Sequence, residues 1–234
     1  MLLPQCDTPV LFNNYATSHS PILSIEYVKN VNKNIRVFNA ASGQFYGNNK
    51  KNIYNEKSFI SPESPYSVSK ATAFWLTKIF RECYGIKCCS GILFNHESPL
   101  RSNEFVTKKI INHCKLIKKG KLKYLFLGNI NICRDWGWAP EYVEAMYLML
   151  RQQQPKDLVI GSGKKYSLKN FVDEVFRLLK IPRNRLKINT KKLLRKGDIN
   201  AYQADPRLAK KILKWKAKTT FKQIIYKMVN EQLY

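Results

Sequence analysis

A tyrosine and a lysine stand four residues apart in the segment Tyr66-Ser-Val-Ser-Lys70. The segment opens an amphipathic stretch from Ser64 to Tyr84, so both side chains should lie on one face of a helix. An ammonium group beside a phenol favours the phenolate, which makes a tyrosine usable as a base near neutral pH. An ordinary half-exposed helix has the same spacing. The sequence around the segment is therefore needed to distinguish a catalytic Tyr-Lys pair from such a helix.

Strands and helices alternate around this segment, which predicts a parallel-sheet α/β architecture. Ile35 to Asn39 reads as a buried strand, and Ala40 to Pro62 reads as a loop rich in Gly, Asn and Ser. Ser64 can cap the following helix and Gly85 can end it. A second buried strand is expected over 87–94. Further helices are predicted over 22–33, 104–119, 139–153, 167–180, 205–213 and 220–232, and further strands over 123–127 and 157–160.

The composition is that of a folded protein in a reducing compartment. With 234 residues and 44% hydrophobic content, the chain can build one large domain, or a domain with a small companion. It has no apolar run near the roughly 18 residues that span a bilayer, and its N-terminus does not resemble a signal peptide. Its six cysteines form no CxxC pair and no zinc spacing, so free thiols, no metal site and a cytoplasmic location are expected.

The net charge is strongly positive, with 41 Lys and Arg against 16 Asp and Glu, or +25. Such a surface attracts anions and could bind nucleic acid without sequence preference, with a steep dependence on salt. The basic residues come in short bursts that apolar residues interrupt, as in Lys118 to Lys123. This pattern favours the solvated faces of folded elements over a basic tail.

A glycine-rich phosphate-binding turn is missing. A dinucleotide site needs a strand, a tight glycine-rich turn and a helix whose N-terminus receives the pyrophosphate. The sequence contains no G-x-G-x-x-G and no G-x-x-G-x-x-G stretch. Gly161-Ser-Gly163 lacks the third glycine and comes late in the chain, so we interpret it as a plain turn.

Three longer motifs carry a family resemblance. They are Gly91 to Arg101 (GILFNHESPLR), Phe105 to Ile110 (FVTKKI) and Arg134 to Val143 (RDWGWAPEYV). With Ser42, at the end of the first predicted strand, Tyr66 and Lys70 resemble the triad of the extended short-chain dehydrogenases/reductases. The motifs resemble the GDP-mannose 4,6-dehydratase family, from roughly Ile22 to the C-terminus. About the first hundred residues of the usual protein, with the glycine-rich loop, are expected to be absent.

The resemblance implies an α/β fold with the second half of a Rossmann-type parallel sheet and a small C-terminal α/β substrate domain. Residues 1–100 would be the remaining part of the NADP-binding domain. Residues 101–234 would be mainly the nucleotide-sugar-binding part, with some segments returning to the sheet. The implied activity is that of an NADP-dependent lyase, which oxidises C4 of GDP-mannose, removes water across C5 and C6, and returns the hydride at C6. The product is GDP-4-keto-6-deoxymannose, a precursor of GDP-fucose.

The resemblance also implies residue roles. Tyr66 matches the base for the C4 hydroxyl, Lys70 the lysine that holds the nicotinamide ribose, and Ser42 a hydrogen-bonding partner of the sugar oxygen. His96 and Arg101 match positions near the cofactor. Positions that contact the nucleotide sugar are matched by Asn95, Val106, Lys109, Arg134, Arg195 and Asp198. Arg and Lys suit a diphosphate. Exposed arginines for Arg134 and Arg195, and a buried polar pair for Asn95 and His96, remain as alternatives.

The chain departs from the family at the catalytic carboxylate. Gln44 stands where the family has the glutamate that removes the C5 proton, and an amide cannot accept and return a proton as a carboxylate does. Lys108 replaces the usual Arg, and Asp198 replaces the glutamate of a late Arg-x-x-Glu motif. Two alternatives therefore stay open: a non-catalytic relic that binds a nucleotide sugar, or a subunit that pairs with a homologue or a second copy through the helix of Tyr66 to Tyr84.

Overall fold

The computed structural model describes residues 10–13, 19–48, 53–188 and 201–233. The strands are β1 (Val10–Asn13), β2 (Arg36–Ser42), β3 (Ile53–Tyr54), β4 (Cys88–Leu93), β5 (Asn95–Glu97), β6 (Leu125–Leu127), β7 (Cys133–Trp138), β8 (Leu158–Ile160), β9 (Lys165–Ser167), β10 (Leu186–Ile188) and β11 (Ala201–Ala204). The α-helices are α1 (His19–Val31), α2 (Pro65–Tyr84), α3 (Val106–Lys118), α4 (Ala139–Leu150), α5 (Leu168–Leu179), α6 (Arg207–Leu213) and α7 (Phe221–Val229).

The main sheet is fully parallel, in the order β1-β2-β4-β8. Successive residues of its strands pack into different hydrophobic cores. Val37 and Cys88 pack with residues of α1 and α2, whereas Phe38 and Cys89 pack with residues of α4 and α6. Because both faces are covered, the strands read as continuous apolar runs, as parallel sheets do. The predicted α/β class with a Rossmann-type parallel sheet is confirmed.

Helix α2 has the boundaries that its sequence predicts. The Ser64 hydroxyl accepts a hydrogen bond from the Ser67 amide, and the Ser67 side chain accepts one from the Ser64 amide. Gly85 ends the helix with a φ of 68°, a left-handed conformation that a residue without Cβ adopts at little cost. Phe74 and Phe80 of this helix are buried, whereas Trp75 and Ile79 are about half exposed. Pairing of α2 with a second copy stays a prediction.

A second group of strands lies beyond the carboxyl ends of the main sheet. β3, β11, β7 and β5 are parallel neighbours in that order, and β9 joins β7 as an antiparallel strand. β6 and β10 form a separate parallel pair. Helices α3, α5 and α7 cover a core that includes Trp136, Phe171 and Phe221.

Part of the sequence prediction was wrong. The segment 40–62 is not a loop throughout, because β2 continues to Ser42, a 3-10 turn follows at Gly43–Tyr46 and β3 lies at Ile53–Tyr54. Tertiary pairing overrides local composition here, since Ala40 and Ala41 pair with residues of β4. The helix predicted from 104 begins at Val106, and the strands β5, β7, β9, β10 and β11 were not predicted.

The buried carboxylate of Asp135, on β7, joins the two groups of strands. Its Oδ1 accepts hydrogen bonds from the amide and hydroxyl of Ser162, at 2.9 and 2.6 Å. Its Oδ2 accepts from the amides of Gly163 and Ala204, at 2.9 and 3.1 Å. One side chain therefore fixes β7, the turn after β8 and the end of β11.

Replacing Asp135 with Asn should lower the free energy of unfolding by about 2–4 kcal/mol. The amide offers one acceptor where the carboxylate offers two, so buried donors are left without partners at about 1–3 kcal/mol each. Urea unfolding followed by tryptophan fluorescence measures the change. The matched control is Asp173→Asn, which removes ion pairs at a carboxylate that is 28% exposed. Equal stability of the two variants would contradict the assigned role of Asp135.

Candidate functional site

Lys70 and Tyr66 meet at the carboxyl end of β2. The Lys70 ammonium donates a hydrogen bond to the carbonyl of Ala40 at 2.9 Å and lies 5.8 Å from the centroid of the Tyr66 ring. Burial lowers the pKa of Lys70. Ser42 ends the same strand, and its hydroxyl accepts a hydrogen bond from the Gln44 amide at 3.3 Å. The structure thus brings the three predicted residues of the triad to one end of the sheet.

A cavity of about 420 Å³ is lined by the triad's chain neighbours Gln44, Ser64 and Ser67, whereas Ser42, Tyr66 and Lys70 are not part of its wall. Six of the predicted site residues line it: Gln44, Asn95, Arg101, Val106, Lys109 and Arg134. Phe126 and Trp136 supply apolar wall. A cavity lined by cationic and amide groups as well as by aromatic surface suits a ligand with a charged and an apolar part. Arg195 and Asp198 lie outside the described residues.

Arg101 lines the cavity and forms an ion pair with the buried carboxylate of Glu97. The sequence did not predict this pair. Its Nε lies 3.2 Å from Glu97 Oε2, without the alignment of a hydrogen bond. Its Nη1 donates to the carbonyl of His96 at 2.8 Å. The Thr107 hydroxyl donates to Glu97 Oε2 at 2.8 Å. Burial raises the pKa of Glu97 to about 7, although Arg101 and Thr107 act in the opposite direction.

His96 is partly buried and is not part of the cavity wall. Its Nδ1 lies 2.9 Å from the carbonyl of Phe94, so the neutral ring donates from Nδ1. Burial lowers the pKa of His96, which keeps the ring neutral. The His96 ring also packs against Tyr142, with centroids 5.0 Å apart.

Sequence reasoning missed Tyr202, which lies in the cavity wall. Its hydroxyl donates a hydrogen bond to Asn95 Oδ1, and the Arg134 guanidinium carbon lies 5.1 Å from its ring centroid. No pattern pointed to it, because β11 has only four residues and lies outside the helices and strands that periodicity predicts.

Gln44 shares the cavity wall with two exposed carboxylates, those of Glu63 and Glu104. The two oxygens of Glu63 accept hydrogen bonds from the amide and the side chain of Asn48 at 2.8 and 2.9 Å. These two hydrogen bonds hold the Glu63 carboxylate against Asn48.

Two further sites can be assessed. The amides of Ser162 and Gly163 donate to Asp135, so neither is free to bind a phosphate, as expected for a plain turn. Over the described ranges, no cluster of three or more His, Cys, Asp or Glu side chains could hold a metal ion. In the same ranges, the helices lack the length and apolar character needed to cross a membrane.

Solved structures define the fold class. The dTDP-glucose 4,6-dehydratase from Bacillus anthracis, in complex with NAD, has a TM-score of 0.85 at 22% identity, covering 96% of this chain and 72% of that one. RMD from Pseudomonas aeruginosa, complexed with NADPH, has a TM-score of 0.83 at 18% identity, covering 96% of this chain and 81% of that one. The chain thus has the fold of the extended short-chain dehydrogenases/reductases.

The chain belongs to the GDP-mannose 4,6-dehydratase family, whose model matches residues 7–228. The GDP-mannose 4,6 dehydratase of Dictyostelium discoideum is 36% identical over 219 residues, which cover 86% of this chain and 61% of the relative. GDP-mannose 4,6 dehydratase 1 of Arabidopsis thaliana is 40% identical over 200 residues, covering 85% of this chain and 55% of the relative. The family resemblance of the motifs is confirmed, and the chain spans little more than half the length of these relatives.

Glu97 should make the stability of the protein depend on pH. Between its unfolded pKa of 4.5 and its folded pKa of about 7, the folded chain holds the proton more tightly. That stabilisation is present below pH 4.5 and is lost as the pH rises through 7. Relative to Glu97→Gln, the wild type should therefore lose stability between pH 5 and 8, by about 1.4 kcal/mol per unit of pKa difference.

Urea unfolding at several pH values measures this difference. Glu82→Gln is the control, because Glu82 is exposed and its ion pair with Lys78 spans 4.0 Å. Wild-type and Glu97→Gln curves that run parallel from pH 5 to 8 would rule out a raised pKa at Glu97.

Proposed function

We propose that this chain binds GDP-mannose in the cavity beside Tyr66 and Lys70, as the substrate-side part of a GDP-mannose 4,6-dehydratase. The observation that carries the proposal is that one cavity gathers Asn95, Arg101, Lys109 and Arg134 next to the triad. The family membership and the match of each residue to its motif support the same assignment. Residues 1–100 would then hold the cofactor side of the cleft, and residues 101–234 most of the sugar nucleotide.

The cationic residues are suited to the diphosphate. Arg134 and Lys109 line the cavity, and arginine binds phosphate oxygens through two parallel hydrogen bonds. Arg101 is engaged by Glu97 and the His96 carbonyl, and Arg134 donates to the Cys133 carbonyl at 2.9 Å. We propose that NADP binds with its nicotinamide ribose at Tyr66 and Lys70.

The nicotinamide end of the cofactor fits these residues, whereas the sequence holds no glycine-rich turn for the pyrophosphate. Bound there, NADP would supply the exchange of a hydride with C4 and then C6 of the sugar. Tyr66 would act as the general base for the proton of the C4 hydroxyl, with the Lys70 ammonium 5.8 Å from the centroid of its ring. Ser42 holds the sugar oxygen. The C4 ketone acidifies the C5 proton, so that a base at C5 allows water to leave from C6.

Gln44 lacks the carboxylate that this reaction needs. It lies at the position of the family's base and in the cavity wall, and its amide neither takes the C5 proton nor protonates the departing C6 hydroxyl. We therefore propose that the chain binds the nucleotide sugar better than it dehydrates it. A role in nucleic-acid binding is not favoured, because family membership accounts for the motifs without it.

Calorimetric titration of the chain with GDP-mannose tests the proposal. Saturable binding is expected, and Arg134→Ala should weaken it by about 10-fold or more, the value of one charge-assisted hydrogen bond. Arg151→Ala is the matched control, because Arg151 is exposed at the end of α4 and contacts Tyr147. Absence of binding at millimolar GDP-mannose by folded protein would overturn the proposal, as would unchanged binding by Arg134→Ala.

Restoring the carboxylate should restore the elimination. In a chimera that joins the glycine-rich part of the Dictyostelium relative to this chain, Gln44→Glu should raise the rate of dehydration by about 100-fold or more. The rate is measured as formation of the 4-keto-6-deoxy product. Gln154→Glu, at an exposed glutamine, is the control. No gain at position 44 would mean that the deficiency lies elsewhere or that another carboxylate serves as the base.

A further inference from the structure

The side chain of Tyr202 crosses a strand to reach the site. Tyr202 pairs with Arg134 across β11 and β7, and Asn95 lies on β5, at the other edge of β7. The Tyr202 ring packs on Phe94, with centroids 5.1 Å apart, and is only 2% exposed. From there its hydroxyl donates to Asn95 Oδ1. This one phenol thus connects three strands that line the cavity.

The direction of this hydrogen bond determines which group of the Asn95 side-chain amide is left to contact a ligand. A side-chain amide has an accepting oxygen and a donating NH2 group. Tyr202 occupies the oxygen, and the backbone carbonyl of Asn95 accepts from the Tyr142 hydroxyl at 3.4 Å. The NH2 group is therefore the part of the amide that meets a ligand. With the amide reversed, the buried phenol proton would lose its acceptor, which is unfavourable.

The orientation persists across the physiological pH range. Burial raises the pKa of Tyr202 to about 12, despite the opposing effect of Arg134. The phenol therefore stays protonated near neutral pH and remains a donor. The guanidinium group of Arg134 also lies over the ring of Tyr202, and this cation–π contact helps to position it.

We propose that Tyr202 is a positioning residue that turns the Asn95 amide so that its NH2 group faces the cavity, and that the ligand presents an acceptor oxygen there. The inference rests on the proposed function and adds the chemistry of one subsite to it. The acceptor is an oxygen of the diphosphate or of the sugar. A ligand that presents a donor at this point would meet a donor and bind less well.

Tyr202→Phe tests the inference, because it removes only the hydroxyl. Its affinity for GDP-mannose should fall by about 10-fold, whereas in an Asn95→Ala background it should cause no further loss. Tyr54→Phe is the matched control, since Tyr54 is a buried phenol on β3 that donates to the Gly47 carbonyl at 2.9 Å. A purely structural role for Tyr202 would weaken binding in both backgrounds.

Nuclear magnetic resonance reports directly on the side-chain amide of Asn95. The side-chain NH2 signals of Asn95, identified by their loss in Asn95→Asp, should shift when the wild type binds ligand and shift less in Tyr202→Phe. Titration with GDP and with GDP-mannose separates the two acceptors. A shift with both ligands indicates a phosphate oxygen, and a shift with GDP-mannose alone indicates a sugar oxygen.

The outcomes separate the inference from the proposed function. If the wild type binds GDP-mannose but Tyr202→Phe binds equally well with unchanged Asn95 signals, the inference is wrong and the proposed function stands. If the wild type binds neither ligand, both are overturned.

Discussion

The carboxylate of Asp135 is the contact on which the site depends. It lies fully buried between two groups of strands and accepts four hydrogen bonds, from Ser162, Gly163 and Ala204. A buried carboxylate is stable only when such donors replace its water. Arg134 immediately precedes it on β7, and Tyr202 lies two residues before Ala204 on β11. The bonds that hold Asp135 therefore also set the distance between the two side chains that flank Asn95.

A partly buried ion pair fixes the main sheet in a similar way. Arg81, near the end of α2, contacts the carboxylate of Asp157 with both terminal nitrogens, and the Ser90 amide donates to the same carboxylate at 2.7 Å. The pair ties the end of α2 to β4 and to the start of β8. Since α2 also carries Lys70 and Tyr66 in its first turns, the position of the triad depends on an anchor at the opposite end of the helix.

The sequence predicts best what local chemistry determines. The boundaries of α2 follow from Ser64 and Gly85, and the apolar run of β4 follows from burial on both faces. β5, β9 and β11 have three or four residues each and no period of their own, so only their pairing with neighbours makes them strands. For the same reason motif matching pointed to Asn95 and Arg134, whereas Glu97 and Tyr202 required the tertiary contacts that bring them into the cavity wall.

Binding and proton transfer are separable in this molecule because they depend on different atoms. The 3-10 turn after β2 is held by the backbone amide of Gln44, which donates to Ser42, and not by its side chain. An amide also has nearly the shape of a carboxylate, so under the proposed function Gln44 would keep the wall of the cavity while offering no base. Lys70, Asn95 and Arg134 are each held by contacts that do not involve the Gln44 side chain. A lack of proton transfer at position 44, as proposed, would therefore leave the contacts of these three residues unchanged.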